Sequence, residues 1–279
     1  MVCKVTLDLA EKSEREAELH TDGGRASVAI DSSKVSISGI DTGTPTEAQV
    51  KARAIAARLL DILCSMYDHC LVLGQADPVS ERIDRVRSAL CEAGDGAKAF
   101  MVQNGTCVSV TCRLQSHDSA GNVIADSWKP GLIPFEHMPA MAFFRTAVMT
   151  KNVFHKFQDF YLAIENAASY LHQGLRYGPL LQAALATVYQ AKLGELAAAA
   201  AKVNLACTQA DAVAQVKTCL WDDFRLGLFH AGQEPVTIVS DPDQEARVAG
   251  VIPLAQQVAR DMIRFAAQQN LAAAPKPSP

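Results

Sequence analysis

Apolar and polar residues alternate along the first forty positions of the chain. The segment "KVTLDL", residues 4–9, changes polarity at every step, and so do the two halves of "ASVAIDSSKVSISGI", residues 26–40. A period of two places alternate side chains on opposite faces of a strand. The residues Asp31-Ser32-Ser33 between the two halves favour a turn. This pattern predicts three β-strands, the last two of them joined as a hairpin.

Beyond residue 40 the apolar period lengthens to that of a helix. In "TPTEAQVKARAIAARLLDILCSMYD" a stripe recurs every three or four residues, and it consists of Val50, Ala54, Ala57, Leu60 and Cys64. Thr44 before Pro45, or Thr46 before Glu47, supplies an N-cap signal. A second helix is predicted over "PVSERIDRVRSALCEAG", residues 78–94. Alternation then returns in residues 105–128, with a turn near Ala120-Gly121-Asn122.

Three prolines and a glycine divide the chain in "KPGLIPFEHMP", residues 129–139. Such a segment is typical of a domain boundary. We therefore predict an α+β domain with an antiparallel sheet over residues 1–128 and a Pro-rich linker over 129–139. An all-α helical bundle follows over 140–270, with a disordered tail over 271–279.

The helical half contains one continuous apolar stripe. It lies in "TKNVFHKFQDFYLAIENAASYLHQ" and consists of Phe154, Phe157, Tyr161, Ile164, Ala168 and Leu171. Alternating spacings of three and four place these side chains on one buried face. Residues 177–204 form either one long helix or two helices with a break near Gly194. The final helix is predicted to begin at Ser240 or Asp241, with Pro242 in its first turn.

Composition and charge narrow the classes of protein. The 279 residues are 49% hydrophobic and 20% charged, with a formal net charge of −4 and a pI near 6.0. No global basic field is available to hold nucleic acid, so we expect no DNA partner. No apolar run approaches the ~20 residues of a membrane span, and the N-terminus lacks the apolar core of a secretory signal. The eight cysteines include no Cys-x-x-Cys, which predicts reduced thiols, a cytoplasmic location and no metal site or cofactor.

The best candidate chemistry lies in "WDDFRLGLFHAGQEP", residues 221–235, which contains Arg225 and His230. Together they would form a cationic spot suited to a phosphate, or His230 would act as a general base. On an α-helix they point about 140° apart, so sharing one pocket requires a loosened helix end near Gly232 or a second subunit. Alternatively, Arg225 is a surface residue that pairs with Asp222, three residues earlier, and His230 is an ordinary residue at the C-terminal end of a helix.

Glu165 follows Tyr161 by one helical turn. Its carboxylate is predicted either to pair with Arg225 inside the bundle or to lie exposed on the helix surface. We therefore count Glu165, Tyr161 and Asp222 as candidate binding residues beside Arg225 and His230. Arg145 and Arg176 flank the first long helix, where solvated helix-end arginines are expected.

The Arg-x-x-x-x-His pattern resembles the signature of HEPN domains, helical bundles found in bacterial ribonucleases and their inactive relatives. The resemblance extends over residues 140–270 and includes "FFRTAVMTKNVFHKFQDFYLAIENAASYL", "FRLGLFHAG" and "DPDQEARVAGVIPLAQQVARDMI". It implies that Arg225 stabilises a phosphate and that His230 acts in acid–base chemistry. Active members carry a polar residue directly after the arginine, whereas this chain has Leu226.

The two-domain layout and the aromatic helix also resemble the MauJ proteins of methylamine-utilisation clusters. This resemblance implies a cytoplasmic accessory protein with no established chemistry, and we expect no enzymatic activity. The alternatives are a metal-independent HEPN-type endoribonuclease with a toxin or defence role, or a non-catalytic module that binds a nucleotide or RNA. We expect a homodimer that has a protein or RNA partner and no membrane association.

Overall fold

The structure is a computed structural model. It describes residues 2–13, 16–21, 23–75, 79–83, 107–117, 123–134, 138–229 and 241–273, with only the backbone between 79 and 134. The chain divides into two compact units. One comprises Met1–Leu60 with Leu71–His137, and the other comprises Asp61–Cys70 with Met138–Pro279.

The first unit contains a seven-stranded antiparallel sheet. Its strands are β1 (Val2–Asp8), β2 (Glu16–Thr21), β3 (Gly24–Val28), β4 (Lys34–Asp41), β5 (Val79–Ile83), β6 (Cys107–His117) and β7 (Val123–Pro134). They lie in the order β5-β1-β4-β3-β2-β6-β7. Every second residue of β1 is buried, and Val5 and Leu7 face the core. The alternation in the sequence therefore corresponds to a sheet with one buried face. The predicted α+β class is confirmed.

One helix, α1 (Pro45–Tyr67), follows the first four strands. The Oγ1 of Thr44 accepts a hydrogen bond from the backbone N–H of Glu47 at 3.2 Å, as expected of an N-cap. The Ile55 side chain packs close to Gly24, where an added Cβ would lie 2.8 Å from the carbonyl oxygen of Ser38. Gly24 also has φ +143°, a conformation open to glycine alone. This position therefore requires a residue with no side chain.

The phase of the apolar stripe predicted on α1 is wrong at its start, because Val50 is 66% exposed. At the start of α1 the buried stripe lies on a neighbouring face of the helix and consists of Ala48, Ala52, Ile55, Ala56 and Leu59. In a helix rich in alanine, several faces have similar hydrophobicity, so the sequence pattern does not fix which one is buried. The two stripes converge at Leu60 and Cys64, which are buried as predicted.

Two segments differ from the sequence-based prediction. Residues 79–83, expected to begin a helix, form β5 and pair with β1, while residues 84–94 lie outside the described part of the chain. β7 continues through Pro134 into the segment predicted as a linker. Pro130 and Pro134 are tolerated there because β7 is an edge strand with β6 as its one neighbour in the sheet. The turn predicted at residues 120–122 lies outside the described residues.

The second unit is helical, which confirms the all-α class predicted for this half of the chain. Its helices are α2 (Pro139–Met149), α3 (Val153–Leu171), α4 (Tyr177–Val188), α5 (Leu193–Ala201), α6 (Ala212–Lys217), α7 (Leu226–Phe229) and α8 (Pro242–Ala273). A π-helical segment, Thr218–Arg225, joins α6 to α7. α3 packs against both α2 and α8 and so forms the centre of the unit.

The aromatic stripe predicted on α3 forms the core of this unit. Phe154, Phe157, Tyr161 and Ile164 are buried, and Leu171 at the helix end is half-buried. Phe160, outside the predicted stripe, is also buried and packs edge-to-face on Phe144 of α2, with ring centroids 5.4 Å apart. Since α3 lies between two helices, its buried face is wider than one stripe.

Two helix boundaries agree with the capping signals. The Oδ1 of Asp241 accepts a hydrogen bond from the Asp243 N–H at 2.9 Å, so Asp241 begins α8. α4 and α5 are separate helices, as one of the two predicted alternatives required. α8 includes the first three residues of the predicted tail, and residues 274–279 lie outside the described range.

Charged pairs fix the end of α1 within the second unit. The Arg145 Nε donates to Asp61 at 2.6 Å, and both side chains are largely buried, 16% and 4% exposed. The Asp68 carboxylate pairs with Arg260 at 2.9 Å and with Arg264 at 3.0 Å. The expectation of a solvated Arg145 is therefore wrong. The sequence does not show that a helix from 84 residues earlier supplies its carboxylate.

Candidate functional site

The candidate Arg225 ends the π-helical segment that joins α6 to α7. Here backbone hydrogen bonds span five residues, and the N–H of Leu226 donates to the carbonyl of Trp221. Arg225 is only 8% exposed, so the alternative expectation of a surface arginine is wrong. Its guanidinium carbon lies 4.5 Å from the centroid of the Trp221 ring, a cation–π contact. Its aliphatic stem and its charge are thus both used in packing against the bundle.

The wider helical turns also change the partner of Asp222. Its Oδ2 accepts a hydrogen bond from the Nζ of Lys217 at 2.7 Å. These residues are five apart, the spacing that a π-helix brings together. The α-helical spacing predicted a pair between Asp222 and Arg225 instead. That prediction assumed 3.6 residues per turn, which does not hold between residues 218 and 225.

Five rings form an aromatic layer beside Arg225: Phe157, Tyr161, Tyr177, Trp221 and Phe224. Phe157 lies 5.7 Å from Phe224 and 6.2 Å from Tyr161, measured between centroids. Trp221 lies 6.2 Å from Tyr161 and 5.9 Å from Tyr177. Offset and edge contacts of this kind each add about 0.5–1.5 kcal/mol to simple burial. The layer connects α3, the start of α4 and the π-helical segment.

The predicted binding residues meet around the Tyr161 hydroxyl. Burial raises the pKa of Tyr161, the negative charge of Glu165 raises it further, and Arg225 acts in the opposite direction. Asp222 also raises this pKa. Glu165, Asp222 and Arg225 therefore each lie within electrostatic reach of Tyr161. The fifth, His230, lies outside the described residues, so a pocket shared by Arg225 and His230 remains a prediction.

A cavity of about 250 Å³ opens beside this layer, between α3 and the start of α4. It is lined by Glu165, Asn166, Ser169, Leu175, Arg176, Tyr177 and Leu180. Of these, sequence reasoning chose Glu165 as a binding residue and treated Arg176 as a solvated helix-end arginine. Tyr177 was missed. The available signal was "RYGP", in which glycine and proline mark a special backbone turn at the mouth of the cavity.

Tyr177 has a strained backbone and a largely exposed side chain. Its φ is +60°, although tyrosine has no ordinary preference for the left-handed region, and the cost is roughly 1–2 kcal/mol. The ring is 55% exposed. The next residue, Gly178, packs closely, since a Cβ there would lie 3.1 Å from the Lys217 side chain and 3.3 Å from Trp221. Such strain is typical of binding sites.

A second cavity, of about 230 Å³, lies between α5 and α8 and is lined by Glu195, Lys202, Gln257 and Asp261 among others. The buried Tyr189 hydroxyl donates to the Oδ2 of Asp261 at 2.6 Å, and Gln257 donates to the same oxygen at 3.0 Å. Burial and the Asp261 charge raise the pKa of Tyr189. The Asp261 carboxylate is thus already bound by its neighbours.

Searches for two other kinds of site gave negative results within the described ranges. No group of three or more His, Cys, Asp or Glu side chains is placed to hold a metal ion among these residues. In the same part of the chain, no helix is both long enough and apolar enough to cross a bilayer.

Comparison with known families adds one match. Residues 140–264 match the model of the family described as "Methylamine utilization protein MauJ". This region is similar to MauJ. The match begins in α2 and ends in α8, and it includes Tyr161, Glu165 and Arg225. Comparisons with curated proteins and with solved structures found no match.

Proposed function

We propose that this protein is an accessory protein of methylamine utilisation, similar in role to MauJ, and that it acts by binding rather than by catalysis. The family match over residues 140–264 carries this proposal. It includes the aromatic layer and the cavity between α3 and α4, where Glu165 and Tyr177 lie. The part of the chain that is similar to MauJ is therefore also the part with a candidate binding site.

The surroundings of Arg225 support a structural role for that residue. Its guanidinium lies against Trp221 and is almost completely buried. A residue that stabilises a phosphate during cleavage must present its donors to the substrate. The π-helical turns, the Lys217–Asp222 pair and the Trp221 contact together fix Arg225 within the bundle instead.

The alternative function is an HEPN-type endoribonuclease that uses Arg225 and His230, and a further one is a module that binds RNA or a nucleotide without cleaving it. Purified wild type and His230→Ala, incubated with single-stranded RNA in the presence of EDTA, separate these functions from ours. We expect no cleavage by either protein. Cleavage by wild type that is lost in His230→Ala would establish the nuclease, and retention of RNA without cleavage would establish the binding module.

The methylamine role is tested by deleting the gene in the source bacterium. We expect slower growth on methylamine as the sole nitrogen source and unchanged growth on ammonium. Complementation with wild type and with His230→Ala should restore growth equally, because the proposed role needs no acid–base histidine. Equal growth of the deletion strain on both nitrogen sources would disprove the role.

The same proposal includes a cytoplasmic homodimer. Light scattering coupled to size-exclusion chromatography measures the assembly, for which the sequence mass of 29.9 kDa predicts about twice that value. A monomer at all concentrations would refute the dimer while leaving the methylamine role intact.

A further inference from the structure

We propose that the cavity between α3 and α4 binds a small zwitterion of the α-amino acid class, with its ammonium group on α3 and its carboxylate on Arg176. This inference does not depend on the methylamine role. It rests on the distribution of hydrogen-bond donors and acceptors around the cavity, on the charges left uncompensated there, and on its size.

The α3 wall of the cavity presents acceptors. The Ser169 hydroxyl donates to the backbone carbonyl of Glu165 at 2.8 Å, and the lone pairs of the Ser169 Oγ remain available to accept from a ligand. The Nδ2 of Asn166 donates to the carbonyl of Leu162 at 3.0 Å, which leaves the Oδ1 as an acceptor. The Glu165 carboxylate is the third acceptor. A primary ammonium group has three N–H donors and is suited to such a wall.

The α4 wall presents donors. Arg176 precedes the first turn of α4, and its guanidinium carries five N–H groups in a planar arrangement that fits a carboxylate with two hydrogen bonds. Tyr177 follows with its exposed ring at the cavity mouth. Tyr177 has a left-handed backbone, and Gly178 after it lies close to the Trp221 ring.

The two charged groups of the cavity do not neutralise each other. Within the described part of the chain, neither the Glu165 nor the Arg176 side chain forms an ion pair or a hydrogen bond. A ligand with a single charge would satisfy one wall and leave the other uncompensated. A zwitterion carries one charge for each wall.

The size of the cavity agrees with this class of ligand. Its volume of about 250 Å³ corresponds to roughly eight water molecules at ~30 Å³ each. That space suits a molecule of about ten non-hydrogen atoms rather than a nucleotide or a cofactor. The open mouth beside Tyr177 gives such a molecule direct access from solvent.

Thermal unfolding of the full-length protein tests the proposal with each of the twenty common α-amino acids at 10 mM. We expect at least one of them to raise the Tm by about 2–4 °C, which corresponds to a Kd near 1 mM. The carboxamide and the decarboxylated amine derived from that amino acid each remove one charge and should give less than a quarter of the shift. Sodium acetate and methylammonium chloride serve as probes with a single charge.

Matched variants locate the site. Glu165→Gln and Arg176→Gln should each abolish the shift while leaving the Tm without ligand within about 1 °C, because neither side chain is paired. Glu195→Gln, at the cavity between α5 and α8, should retain the full shift. The proposal fails if no amino acid raises the Tm, if either single-charge probe equals the best amino acid, or if the shift survives both cavity variants.

Discussion

Two cavities of similar size lie in the described part of the helical unit, and their carboxylates differ in how they are bound. Each has a buried tyrosine beside a carboxylate, Tyr161 beside Glu165 and Tyr189 beside Asp261. At the α5–α8 cavity, Tyr189 and Gln257 both donate to Asp261. At the α3–α4 cavity, the Glu165 side chain has no such donor among the described residues.

This difference separates a carboxylate that holds the fold together from one that is available for a ligand. A buried group bound by its neighbours cannot be removed without leaving a donor unsatisfied. A half-exposed carboxylate with no donor contributes little to folding and stays accessible to a ligand. Of these two carboxylates, Glu165 is therefore the one that no described donor occupies.

The largest expected effect comes from removing the support behind the α3–α4 cavity. Phe157→Ala deletes a fully buried ring that packs on Tyr161 and Phe224, and it should destabilise the protein by about 3–5 kcal/mol. Phe143→Ala, on the half-buried side of α2, serves as the control and should cost far less. Chemical denaturation measures both, and equal losses would show that the aromatic layer is not a packed support.

Removing each carboxylate tests the contrast directly. Asp261→Ala leaves the buried hydroxyl of Tyr189 without an acceptor and should cost about 1–3 kcal/mol. Glu165→Ala should change stability by about 0.5 kcal/mol or less, since alanine is favourable in helices and no partner is lost. Urea unfolding at pH 7 gives both values. A loss of 2 kcal/mol in Glu165→Ala would mean that this carboxylate is structural.

The buried tyrosines should make the protein sensitive to alkali. Their pKa values are raised in the folded state, so their contribution is complete below the unfolded value near 10 and decreases as the pH rises above it. Each tyrosine then lowers stability by up to about 1.4 kcal/mol per pH unit. Tyr161→Phe and Tyr189→Phe should each flatten the decline between pH 10 and 11.

Burial also raises the pKa of the Cys219 thiol to about 11, so thiols contribute to the loss of stability in alkali. The difference between each variant and wild type gives the contribution of the tyrosine alone. At pH 7 only Tyr189→Phe should also lose the hydrogen bond to Asp261. An unchanged alkaline slope in both variants would contradict their burial.

A small effect is also expected at Arg225. Arg225→Lys replaces a planar guanidinium on Trp221 with a compact ammonium and should cost about 0.5–1 kcal/mol. A Trp128→Phe background leaves Trp221 as the only indole, so that its emission reports the contact. Arg247→Lys, which changes a similar contact on Phe224, is the matched control and should leave the emission unchanged. If Arg247→Lys alone shifted the emission, Arg225 would not be the cation that contacts Trp221.

The elements predicted well are those whose signal is local and repeated. The α3 stripe repeats over five turns, and the caps at Thr44 and Asp241 depend on residues three positions away or fewer. The prediction for β5 was wrong because residues 79–83 become a strand only by pairing with β1, more than 70 residues earlier. The strand β2 also went unrecognised, since the charged segment "EAELHT" carries a weak alternation.

The candidate site was only partly visible for a similar reason. Glu165, Asp222 and Arg225 all act electrostatically on Tyr161, while their role in binding stays a prediction. The contact between Asp222 and Lys217 depends on π-helical turns, which a period of 3.6 cannot reveal. The cavity includes Tyr177, whose left-handed backbone a helical period does not predict.

The π-helical segment also sets how this helix tolerates changes in length. Residues 218–225 already contain more residues per turn than an α-helix, so loss of one residue, such as Asp223, would allow the segment to close as ordinary α-helix. A deletion in a regular helix would instead rotate every later side chain by about 100°. Among the described helices of this unit, the one that carries Arg225 should therefore tolerate a one-residue deletion best. The shortened segment would form a continuous α-helix in which the side chains of the final turn take new directions.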